Sequence, residues 1–142
     1  MYGTLDISTS GLIAQRVRLT SISGNIANRS TLVNASGELE PYRARRVVFA
    51  PGDPSARTRD GKTLGVHVAQ IELDQSPFNL TYDPGNALAY KRGPYKDHVP
   101  SPNVNVVVEQ MNAFDAARAY EANIAAAETT KTMMNQALRL LA

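Results

Sequence analysis

The side chains best equipped for chemistry here are two histidines, a glycine-lysine-threonine triplet and a row of carboxylates. Their spacing assembles none of the reactions such groups perform. His67 and His98 are the only histidines and there is no cysteine, so neither imidazole has a second ligand at metal-binding spacing. Each reads as an exposed or hydrogen-bonded histidine. Gly61-Lys62-Thr63 matches the end of a phosphate-binding loop, but that loop needs a glycine where Ala56 stands. Glu109, Asp115, Glu121 and Glu128 lie along a helical segment with no partner to raise a pKa for acid or base work, and no Gly-x-Ser-x-Gly elbow occurs. The Asn-x-Ser/Thr triplets starting at Asn28, Asn34 and Asn79 are too short a pattern to carry weight. Arg43, Arg45 and Arg46, set among apolar residues, read as a solvated strand face before a phosphate site. The expectation is no enzyme, no cofactor, no metal and no small-molecule substrate.

Composition narrows the class further. A chain of 142 residues holds one compact domain, or a small domain carried between long helices. Hydrophobic residues make up 43%, but aromatics only 6% with no Trp, which argues against a deep globular core. A net charge of +2 is too small for a dedicated nucleic-acid binder. Without cysteine there are no disulfides and no thiolate sites. Residues 1–12 lack the basic and apolar regions of a secretory signal, and no apolar run nears the roughly 18 residues of a membrane helix. The chain is therefore expected not to insert in a membrane and to need no cleaved leader for export.

Three parts differ in periodicity: 1–28, 29–102 and 103–142. In the first, Leu5, Leu12, Leu19 and Ile26 recur every seven residues with Ile22 between, the seam of an amphipathic helix. Gly11 and Gly24 within it mark either a close backbone approach or breaks between shorter helices. Asn25 and Asn28 at its end either cap it or bond across subunits.

The middle part holds all eight prolines and most glycines, which excludes helix over most of it. Residues 42–50 and 63–74 read as strands, joined through a turn at 59–62 into a hairpin. Leu64, Val66 and Val68 share one parity and Ile71 and Leu73 the other, a slip that predicts a bulge near Ala69-Gln70. A short third strand around 78–82 is expected to join this hairpin, followed by a loop lasting to Pro102.

From residue 104 to 141 there is no Gly or Pro and much Ala, which predicts one helix of about 58 Å. Val106, Ala113, Tyr120, Ala127, Met134 and Leu141 recur at seven, and Ala117, Ile124 and Leu138 extend the stripe. The fold class is α+β, mainly α: long terminal helices packed as a coiled-coil-like pair around a small hairpin-containing middle. A middle of this size cannot cover both stripes, so partners are implied. Contacts of this kind that do not close propagate as a helical filament.

Particular motifs sharpen that reading. Leu5-Asp6-Ile7-Ser8, Ser10-Gly11-Leu12, Ala14-Gln15-Arg16 and Asn25-Ile26-Ala27-Asn28 resemble the N-terminal signature of the flagellar rod and hook axial protein family. Pro102-Asn103-Val104-Asn105, Glu109, Met111 and the run from Arg118 to Asn123 are similar to the C-terminal signature of its proximal-rod type. An insertion leading to Pro41-Tyr42-Arg43, and Val47-Val48-Phe49 as first strand, fit that type as well. The sequence departs from it after Gly85, where Asn86 to Gly93 replace a His-Pro and acidic stretch.

The resemblance implies a structural subunit of the basal-body rod, exported through the flagellar type III machinery. It would assemble in the periplasmic space with copies of itself and other rod proteins into a torque-transmitting tube. The expected assembly interface is Leu5, Leu12, Leu19, Ile22, Asn25, Ile26 and Asn28 on the first helix. On the last helix it is Val106, Met111, Tyr120, Ile124, Met134, Leu138 and Leu141. The competing expectation is a soluble helical adaptor or export-associated binding protein whose stripes close on each other.

Overall fold

A computed structural model describes residues 2–141, with the side chain of Leu141 outside the described residues. Helix α1 spans Tyr2–Ala27 without a break, so Gly11 and Gly24 do not divide it. Asn28 finishes it: its backbone amide and its Nδ2 both donate to Gly24 O, at 3.1 and 2.9 Å, and its Oδ1 accepts from Thr31 at 3.1 Å. Helix α3 spans Val106–Leu141, about 54 Å at 1.5 Å per residue. Asn105 caps it, its Oδ1 accepting from the amides of Val107 and Val108. Glu109 in the first turn and Arg139 in the last complement the helix dipole.

Between the helices, β1 (Arg45–Pro51) pairs antiparallel with β2 (Val66–Leu73). The register shifts after Val48↔Gln70 to Phe49↔Val68, so Ala69 is the extra residue of a bulge at the position the parity slip predicts. The expected turn at 59–62 is instead a short helix, α2 (Arg59–Leu64), and β2 begins at Val66, three residues later than anticipated. Two hydroxyl contacts explain the difference. Thr58 caps α2 by accepting from Gly61 N at 3.1 Å, and its own hydroxyl and amide both donate to Asp6 Oδ2 of α1, at 2.7 and 3.0 Å. A Cβ on Gly61 would stand 2.8 Å from Asp6 Cβ, so the glycine lets α2 lie flat on α1.

The third strand, β3 (Asn79–Tyr82), does not join this hairpin. It pairs with β4 (His98–Ser101), a strand inside what read as loop, to make a separate two-stranded sheet. Pro100 sits in β4, where a missing N–H is tolerated only at an edge or in so short a ladder. The architecture is mainly helical, with both terminal helices packed together and two small sheets beside them.

Candidate assembly interface

Helices α1 and α3 run antiparallel. Asn25 lies opposite Glu109 and Gly11 opposite Asn123, an equal spacing of 14 residues along each helix. The seam is made of small and polar side chains. A Cβ on Gly11 would come 2.7 Å from Asn123 Oδ1, so what this glycine makes room for is the Asn123 carboxamide, where a neighbouring backbone was expected. Gly3, Ser8, Ser10, Ala14, Ile22 and Asn25 are the other buried positions of α1, and Ala116 is the fully buried residue of α3. Leu5, Leu12, Leu19 and Ile26, the heptad row, are half-buried at the flank of this seam.

At the sheet end of the helix pair Asn25 forms a polar junction. Its carboxamide donates to Arg45 O at 2.9 Å and Glu109 Oε2 at 3.1 Å, and accepts from Arg45 N at 2.8 Å and the Tyr42 hydroxyl at 3.0 Å. With 1% of its surface exposed, it joins α1, α3 and the entry to β1. Burial pushes the Tyr42 phenol up from its ordinary pKa, which keeps it a neutral donor. Asn103 ties the next layer: its Oδ1 accepts from Ala44 N and its Nδ2 donates to Asp74 O. The predicted arginine face is only partly solvated, since Arg43 donates to Asp74 O and Ser76 O and covers the Phe78 ring at 4.2 Å.

At the opposite end of α1, hydrogen bonds from the Thr58 side chain and backbone hold the Asp6 carboxyl below its ordinary pKa of 3.8. The histidines bind backbone carbonyls, His67 at Gly52 O and His98 at Lys96 O. Among the described residues no cluster of His, Asp and Glu is placed to hold a metal.

The expected interface residues divide by place. Ile22 and Asn25 are buried within the chain, so their contacts are to its own segments, and Asn28 is the C-terminal cap of α1. Val106, Tyr120 and Met134 are half-buried along α3. Met111, Ile124 and Leu138 are exposed, at 64%, 38% and 63%. Leu141 ends α3, and its side chain lies outside the described residues.

Of a second apolar line on α3 the sequence reading named only Met111. Val107, Met111 and Phe114, at i, i+4 and i+7, stand exposed on the side turned away from α1. Their spacing is that of a helix face, and attention to the seven-residue row hid it. Beyond the start of α1 the last turns of α3 continue alone, with Met133, Leu138 and Leu140 exposed.

Comparison with known proteins decides the family. Residues 98–140 match the family model of the flagellar basal body rod FlgEFG protein C-terminal. Over 99% of this chain and 97% of theirs, the flagellar basal-body rod protein FlgC of Borreliella burgdorferi is 38% identical, and those of Escherichia coli and Salmonella typhimurium are 40% identical. The chain belongs to the FlgC family of flagellar basal-body rod proteins. FlgC proteins form a structural family, not an enzymatic one, in keeping with residues that converge on backbone carbonyls and one another. The α3 segment matched by the family model carries the exposed line from Val107 to Phe114, and no described helix is long and apolar enough to cross a membrane.

Proposed function

We propose that this chain is a structural subunit of the basal-body rod that assembles with copies of itself and other rod proteins through the free faces of α1 and α3. The assembly is a tubular shaft that transmits torque for motility. The observation that carries this reading is the exposed line Val107, Met111 and Phe114, continued by the unaccompanied end of α3. In water such a line is unfavourable by roughly 25 cal/mol per Å² of apolar surface, a cost relieved when a neighbouring helix covers it. Residues 1–28 and 103–142 serve as axial helices and 29–102 as the outer middle part. Leu5, Leu12, Leu19, Ile26, Tyr120, Ile124 and Met134 flank these free faces and belong to the same interface.

Export through the flagellar type III machinery into the periplasmic space fits the smallness of the core. Its buried apolar side chains among the described residues are Ala14, Ile22, Ala44, Val99, Ala116 and three prolines, Pro41, Pro100 and Pro102, which leaves little to unfold. An adaptor whose stripes close on each other would leave no such line exposed. The test is Met111→Asp with Phe114→Asp. Circular dichroism of the purified chain should be unchanged, while cells carrying the variant should lack rods in extracted basal bodies and fail to swim. Normal swimming by these cells would overturn the proposal.

A further inference from the structure

β3 and β4 make their main contacts with each other, and the loop joining them is held in one shape by its own backbone. Asp97 N donates to Tyr90 O at 2.9 Å and Lys96 N to Gly93 O at 3.2 Å, with Gly93 and Asp97 in the left-handed region at φ 92° and 64°. The closed turn presents Lys91, Arg92 and Lys96 to solvent beside Tyr95, which is 56% exposed. None of these cations is in an ion pair. The pair between Arg46 and Asp74 is the only one among the described residues.

A surface of matching character lies on the same chain. A cleft of about 540 Å³ has Val33, Leu39, Leu73, Phe78 and Tyr90 as its apolar lining. Asn34 and Glu40 also line it, and Asn34 Nδ2 donates to Glu38 Oε2 at 3.3 Å and Glu40 Oε2 at 3.0 Å, which gathers two exposed carboxylates, neither in an ion pair. Arg43 and Arg45 line the same cleft, the first engaged by two carbonyls and the Phe78 ring, the second over the Tyr42 ring at 5.8 Å. Tyr90 and Glu40 border the same cleft, yet the cations of the loop and these carboxylates do not meet within one molecule.

We infer that this cleft receives the 91–96 loop of a second copy of the chain, Tyr95 entering the apolar lining while Lys91 and Lys96 face Glu38 and Glu40. An aromatic anchor in a pocket with charges at its rim is the usual build of a protein contact. Because loop and cleft are different patches, the contact is heterologous: each copy uses its loop on one neighbour and offers its cleft to another. The inference rests on the rod reading, since it requires copies to be side by side.

The absence of cysteine makes the test direct. Cells producing Tyr95→Cys and Leu39→Cys chains together should yield, in extracted basal bodies, a disulfide-linked dimer that neither chain gives alone, as two Cβ atoms must come within about 4.5 Å. Adding Lys91→Glu and Lys96→Glu should lower the yield about fivefold, and adding Glu38→Lys and Glu40→Lys as well should restore it. Swimming cells whose basal bodies contain both chains but no linked dimer would overturn the inference and leave the rod reading intact. A dimer indifferent to the charge reversals would overturn it too. Absence of the chain from basal bodies would overturn both.

Discussion

Asn25 shows how much of this molecule hangs on single carboxamides. Replacing it with Ala removes four hydrogen bonds and leaves the Arg45 amide, the Tyr42 hydroxyl and Glu109 short of partners at a part-buried junction. Unsatisfied buried groups cost about 1–3 kcal/mol each, relieved in part by local adjustment, so the variant should lose about 2–4 kcal/mol. The urea midpoint of the purified chain would read this, and an unchanged midpoint would show that the junction contributes nothing. Tyr42→Phe, which removes one donor, should cost about 1 kcal/mol. The sequence marked Asn25 as special but offered two roles, a cap or a contact between subunits. Its partners, 20 and 84 residues away, lie on segments whose approach no local pattern encodes.

At the scale of elements, the long helices were legible because what makes them is local. Neither contains proline, α3 has no glycine, and apolar residues recur with helical period. The bulge was legible for the same reason, since Val68 and Ile71 fall on opposite parities of one strand. The face by which the helices meet was not. Heptad leucines attract attention, but the buried seam runs through positions with almost no side chain, Gly11 and Ala14, the first leaving room for the Asn123 carboxamide. Gly11→Ala should displace the Asn123 carboxamide from its bond to Ala119 O and so destabilise by about 1 kcal/mol. Combined with Asn123→Ala it should recover most of that loss. Additive losses in the double variant, followed by thermal melting, would refute the contact. α2 and β4 were illegible because they lack a pattern of their own: one depends on Asp6 holding Thr58, the other carries a proline and four residues only.

For the whole molecule, cohesion comes from amides and hydroxyls joined to carbonyls across the middle, and, among the described residues, from one surface ion pair, Arg46 to Asp74 at 3.5 Å. Among the described residues the other surface cations and carboxylates form no ion pair. Exposed ion pairs contribute at most about 1 kcal/mol and are the part screened by electrolyte. Thermal unfolding of the purified chain should therefore shift by no more than about 2 °C between dilute and molar sodium chloride. A larger loss of stability at high salt would mean that charge pairing holds the chain together after all. A protein built this way keeps its shape through swings in the brininess of its surroundings. Only its grip on neighbours is left for the medium to loosen.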